Sequence, residues 1–172
     1  MKKILIITLA LFLFACSSKK SGVNFDLSTM PTQTVYDAET MFTDRGQLQM
    51  EVKQPVLYNY DDEEKTQISP NGIELTFYDK ETNELQVFMR ADSAINSQKS
   101  RLMRFYKNVE VYDYRTMDTI YTEAMYWDQD KRKIYSDVYV KRLSPKIITE
   151  GDGFDADEQM TNIKIRNPRY AF

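Results

Sequence analysis

From about Val35 onward, apolar and polar residues alternate in segment after segment of this chain, and no stretch of about eleven or more carries a helical stripe. Leu48, Met50 and Val52 alternate with Gln49 and Glu51; Ile73, Leu75 and Phe77 alternate with Glu74 and Thr76. Leu85, Val87, Met89 and Ala91 share one parity, as do Phe105, Val109 and Val111, then Ile134, Val138 and Val140, then Ile163 and Ile165. Successive side chains of a strand point to opposite faces, so this pattern predicts half-buried antiparallel strands with one apolar face. Turn-forming residues separate the runs at Asp44-Arg45-Gly46, Ser69 to Gly72, Lys80 to Asn83, Asn96 to Ser100 and Asp128 to Lys133. The expected class is all-β.

An internal repeat sharpens that expectation. Ala94 to Val111 reads AINSQKSRLMRFYKNVEV, Ala124 to Val140 reads AMYWDQDKRKIYSDVYV, and Gly153 to Ile165 is a shortened third copy. Ala94 and Ala124 lie 30 positions apart, and Val109 and Val138 lie 29 apart. Each copy holds an incoming strand, a polar turn and an outgoing strand. A hairpin repeated at this spacing predicts stacked hairpins in a continuous sheet.

Composition narrows the chemistry. The chain has no histidine and one cysteine, which excludes Ser-His-Asp and Cys-His catalysis, histidine-bearing metal sites and an intrachain disulfide. The single cysteine has a distinctive context. Met1-Lys2-Lys3 leads into an apolar run from Ile4 to Phe14, then Ala15-Cys16-Ser17-Ser18. That is a secretory signal pattern, too short to span a bilayer, which takes about 20 residues. Leu13-Phe14-Ala15-Cys16 resembles a bacterial lipobox, with Phe14 bulkier than the usual occupant. Residues 1–15 are therefore expected to be a lipoprotein signal peptide, Cys16 the lipid attachment point and residues 16–34 a lipidated tether. Residues 35–172 form the expected folded domain. Removing Lys2 and Lys3 with the signal leaves 21 basic against 26 acidic residues, a net charge of −5, which argues against nucleic acid. The mature protein is expected in the envelope of a bacterium, facing the periplasm or the cell exterior.

Several segments together resemble the LptC family, the periplasmic component of lipopolysaccharide export. They are Pro70-Asn71-Gly72-Ile73, Ala91-Asp92-Ser93-Ala94, Thr122-Glu123-Ala124-Met125-Tyr126-Trp127-Asp128, and Glu150 to Asp157 followed by Ile163-Lys164-Ile165. The resemblance covers roughly Pro31 to Phe172. It implies an open, twisted antiparallel β-jelly-roll of the OstA/LptA type, with no enzymatic activity and no cofactor. The implied function is to accept lipopolysaccharide drawn from the inner membrane by an ABC transporter and pass it to a downstream periplasmic β-jelly-roll protein. The best-known members keep an uncleaved N-terminal helix, whereas this chain carries Cys16, so the resemblance implies a periplasmic protein lipid-anchored to the inner membrane in preference to the outer.

On that basis one strand face is expected to line a lipid groove: Leu75, Phe77, Val87, Met89, Phe105, Val109, Val111, Ile134, Val138, Val140, Ile163 and Ile165. Met89 and Met103 suit flexible chains because methionine adapts its shape. Tyr112, Tyr114, Tyr135 and Tyr139 fall on the opposite parity and receive no ligand role. Lys131-Arg132-Lys133 reads as a solvated hairpin tip, with lipid phosphate contact as the alternative, and Asp61 to Lys65 as another such tip. The strand Thr161, Asn162, Ile163, Lys164, Ile165 and Arg166, ended by Asn167-Pro168, is the expected partner edge toward the downstream bridge, paired by strand addition. Val35 to Thr43 and Leu48 to Lys53 would face the transporter. Gly151 and Gly153 are expected at a backbone bend.

Two other classes fit parts of the sequence. A closed β-sandwich lipoprotein that binds carbohydrate would show an exposed aromatic platform of Trp127, Tyr126 and Tyr135. A carboxylate-pair glycosidase would need two acids about 5 to 9 Å apart in a cleft.

Overall fold

A computed structural model describes residues 30–171. The signal segment, Cys16 and the tether as far as residue 29 lie outside the described residues. Among the described residues there are fourteen strands and no helix: β1 (Gln33–Asp44), β2 (Gln47–Asn59), β3 (Gln67–Ser69), β4 (Ile73–Tyr78), β5 (Leu85–Ala91), β6 (Ser93–Ser97), β7 (Leu102–Asp113), β8 (Asp118–Asp128), β9 (Lys133–Ser136), β10 (Val140–Leu143), β11 (Ile148–Gly151), β12 (Phe154–Asp157), β13 (Lys164–Ile165) and β14 (Arg169–Ala171). The first strand begins at Gln33, slightly before the expected domain start, and Thr32 already donates to the Asn59 carbonyl through its N–H (2.8 Å) and its hydroxyl (3.0 Å).

Every pairing is antiparallel, and the long strands change neighbours halfway along. β2 pairs with β4 through Met50–Lys53 and with β3 through Tyr58–Asn59. β7 pairs with β6 through Leu102–Tyr106 and with β5 through Glu110–Asp113. β8 pairs with β10 through Thr119–Thr122 and with β9 through Tyr126–Asp128. Two walls result. One runs β1–β2–β4–β5–β7–β8–β10–β11–β14, the other β1–β2–β3–β6–β7–β8–β9–β12–β13. They share β1, β2, β7 and β8 and diverge from a common crease, which makes an open β-jelly-roll.

The residues at the crease explain the bend. Asp37 in β1 has a positive φ of 49° and, with Pro55 of β2, drops out of the ladder. In β7, Lys107 and Asn108 both have positive φ (63° and 47°) and bulge opposite the single Glu123 of β8. A bulge of this kind bends and twists the strand that carries it. The bulge is fixed by Asn108 Nδ2 donating to Asp92 Oδ2 (2.7 Å) and by the Asp92 N–H donating to the Lys107 carbonyl (3.0 Å). Gly151 and Gly153 stand where β11 crosses the crease into β12. A Cβ on Gly151 would collide with the Arg166 backbone, and one on Gly153, whose φ is +132°, would collide with the Ser136 carbonyl.

The three repeat copies correspond to hairpins of the second wall: β6–β7, β8–β9 and β12–β13. Two expectations from the repeat and the parity rule need correction here. Val138 does not lie on the inner face; it is 39% exposed. The chain turns the crease between Ser136 and Val140, where the Val138 N–H reaches Ser136 Oγ (3.3 Å) rather than a neighbouring strand, so strand parity does not carry through. The inward residue equivalent to Val109 is Val140. Likewise, Thr161 to Arg166 is not one strand. Only Lys164–Ile165 pairs, while Thr161 and Asn162 belong to a turn held by the Asp157 carboxylate. Asn167-Pro168 does not end the sheet. Asn167 has φ 47° at the crease, and the chain resumes as β14 beside β11 in the other wall.

The core fills the space between the walls. Leu75, Met89, Phe105, Val109, Met125, Val140 and Phe154 are fully buried, and Val87, Val111 and Ile134 nearly so. At about 1.5–3 kcal/mol for each large apolar side chain removed from water, this cluster supplies the main force holding the walls together.

Candidate functional site

Two cavities lie on opposite sides of the crease. The larger, about 830 Å³, runs along its outer surface and is lined by charged groups including Asp37, Lys53, Glu74, Arg90, Asp92 and Glu123. Several are paired, Arg90 with Glu110 (2.6 Å) and Lys53 with Glu39 (3.6 Å). Its chemistry is that of a solvated exterior. The smaller cavity, about 470 Å³, lies between the walls at the end nearest β1. Phe42, Met50, Val52, Leu57, Leu75, Met103 and Trp127 supply its apolar lining, and not one acidic or basic side chain lines it. A water-sized group occupies about 30 Å³, so this space accommodates roughly fifteen such groups, the size of one acyl chain.

The site is built by strand parity. Phe42 and Thr40 of β1 lie opposite Met50 and Val52 of β2, so the first hairpin turns one face inward. Phe42 is half exposed, which leaves the cleft open beside the β1 edge. Phe77 of the first wall meets Trp127 of the second edge-on, with ring centroids 5.9 Å apart. Beyond that contact the walls are sealed. The turn between β12 and β13 crosses the gap: Met160 enters the core, and Arg115, at the tip of the first wall, donates to the Gln159 carbonyl (2.7 Å). Arg115 is itself held by the buried Asp113 carboxylate (2.9 and 2.7 Å), which raises its affinity for its proton. On the second wall Glu158 accepts from Trp127 Nε1 (3.1 Å) and Arg132 Nε (3.1 Å). The turn is thus a clasp between the two lips.

Of the expected groove residues, Leu75 lines the cleft and Phe77 stands at its inner limit. Val87, Met89, Phe105, Val109, Val111, Ile134 and Val140 lie in the sealed core; Ile163 and Ile165 are half-buried against it. Phe42, Met50, Val52, Leu57 and Trp127 were not among the expected lining. Met50 and Val52 carried the period-two signal, but parity reports only the inward face, not which inward positions face a void. Lys131, Arg132 and Lys133 pair with Asp128 (2.7 Å), Glu158 (3.1 Å) and Asp155 (2.5 Å), so all three charges are already matched by acids. The aromatic platform does not form. Tyr126 stacks on Tyr135 (5.1 Å) on the outer face, while Trp127, its neighbour in β8, points into the cleft.

Both ends of the jelly-roll have open edges. β1 pairs only with β2 and exposes Tyr36, Met41 and Phe42; β14 pairs only with β11 and exposes Tyr170. Among the described residues no helix is long and apolar enough to cross a membrane, and no group of three His, Cys, Asp or Glu could hold a metal.

Comparison with known proteins adds the family. The model of the family described as lipopolysaccharide-assembly, LptC-related, matches residues 4–167. No curated protein matches the chain. Among solved structures, the chain is similar to LptH of Pseudomonas aeruginosa, described as the LptA-homologous periplasmic component of the lipopolysaccharide transport device. The identity is 12%, covering 84% of this chain and 96% of that one, with a TM-score of 0.31.

Proposed function

The chain belongs to the LptC-related family of lipopolysaccharide-assembly proteins, and from that premise we propose that it is a non-enzymatic periplasmic bridge for lipopolysaccharide. It accepts the lipid from an inner-membrane ABC transporter and passes it to a downstream β-jelly-roll protein. The observation that carries this reading is the uncharged, largely apolar cleft between the two walls, open beside β1. An acyl chain exposed to water costs on the order of 10 kcal/mol, and such a cleft replaces membrane contacts with protein contacts.

The open edges support the transfer route. β1 and the β13–β14 end offer unpaired backbone groups to neighbouring strands, β1 toward the transporter and the C-terminal end toward the bridge. Lipidation of Cys16 tethers the domain to the membrane, the inner membrane by preference. The sealed positions, such as Val109 and Phe105, become groove only when the walls part.

A photoreactive amino acid at Phe42, Met50 or Leu57 should crosslink to lipopolysaccharide in cells. Absence of an adduct at all three positions overturns the cleft as the lipid path. Adducts at Val109 as well would show that the sealed half opens during transfer.

A further inference from the structure

The cleft carries a set of amides, concentrated on its β3–β6 wall, that a plain acyl conduit does not need. Gln54, Gln67, Asn96, Gln98 and Gln129 line it among the apolar residues, Asn96 beside Met103 and Gln54 on the same face of β2 as Met50 and Val52. Three of these amides are bonded along the strands: Gln67 Nε2 donates to Asn59 Oδ1 (2.8 Å), Asn96 Nδ2 donates to Gln67 Oε1 (3.0 Å), and Gln54 Nε2 donates to Ser69 Oγ (2.6 Å). This ladder fixes the amides in place and uses only part of their capacity, since each primary amide carries two N–H donors and an oxygen with two lone pairs. Among the described residues the side chains of Gln98 and Gln129 make no hydrogen bond. Gln98 is exposed and Gln129 half-buried, so water serves both while the cleft is empty; methylenes laid over them would displace that water and offer no hydrogen bond in return. A phosphate would find no cation in the cleft.

We propose that this amide wall recognises the linkage region of the ligand, the neutral ester and amide carbonyls that join acyl chains to a sugar, and so sets how deeply each chain enters. The chain lies along Met50, Leu57 and Met103, the carbonyl is held by the amides, and charged head-group substituents stay outside the lips. The inference rests on the reading of the cleft as a lipid site.

Trp127 is the only tryptophan of the chain and lines the cleft, so its fluorescence reports occupancy. The full-length protein in nanodiscs is titrated with two probes of equal chain length, 6-O-dodecanoyl-glucose, which has an ester carbonyl, and 6-O-dodecyl-glucose, which has an ether at the same oxygen. The ester should bind about tenfold more tightly, the worth of one or two hydrogen bonds. In the Gln67→Leu, Asn96→Leu variant that preference should vanish while the ether binds at least as well. If that variant fails to fold, Gln98→Leu with Gln129→Leu, which leaves the ladder intact, should reduce the preference several-fold. Equal binding of the two probes by the unaltered protein overturns the inference and leaves the lipid cleft standing. No response of Trp127 to either probe overturns the lipid cleft itself.

Discussion

The interior of this protein is open at one end and sealed at the other, although the same strands and the same alternation build both. Near β1, the inward positions hold medium-sized apolar residues and amides, such as Met50, Leu57, Gln67 and Asn96, and a cleft remains between the walls. Toward the C-terminal end, Phe105, Met125, Ile134 and Phe154 of the second wall share one core with Met89, Val111 and Ile120 of the first, and Met160 joins it from the β12–β13 turn. The lesson is that an open jelly-roll is not uniformly a trough. Strand pattern makes the walls; side-chain volume and one crossing turn decide where they stay apart.

The sharpest test of that contrast is a pair of truncations. Phe105→Ala, in the sealed half, should cost about 3–5 kcal/mol, because a cavity opens where packing was complete. Leu57→Ala, beside an existing space, should cost about 1 kcal/mol. Urea denaturation measures both, and similar losses would erase the distinction between the two ends. A smaller effect is expected from Met160→Ala: about 2 kcal/mol of stability, with increased acrylamide quenching of Trp127 as the clasp loosens.

The smallest effect is on acidity. Burial raises the affinity of the Asp157 carboxyl for its proton, but hydrogen bonds from the Thr161 hydroxyl and N–H and from the Asn162 amide outweigh it, so its pKa falls below the ordinary value. A group depressed in the folded state stabilises above its unfolded pKa and loses that contribution as pH falls through the folded one. The Asp157 contribution to the clasp should therefore be constant from pH 7 to 5 and weaken only below about pH 4. Quenching of Trp127 against pH measures it, and Asp157→Asn should remove the Asp157-dependent part of the change.

Much of this architecture was legible in the sequence because its cause is local. Alternation around Ile73, Leu75 and Phe77 places strands whatever surrounds them, and the repeat marks the hairpins of the second wall. Legibility failed where the cause is non-local. Val138 has the parity of an inward residue, yet it sits on the crease, whose position depends on the bulge in β7 and the glycines where β11 ends. The break between β13 and β14 was hidden for the same reason, since a proline that ends a strand also serves a chain turning from one wall to the other. The cleft lining was missed because a void is set by the sizes of residues from strands far apart in sequence.

Because β1, β2, β7 and β8 run unbroken through both walls, neither wall can melt and leave the other folded. Unzipping β4 from β2 also strips support from the half of β2 that carries β3. The domain should therefore unfold in a single cooperative transition, with the unfolding of the cleft and that of the sealed core sharing one midpoint. A domain built this way can flex at its crease, yet it should have no half-unfolded form in which the cleft alone lies exposed.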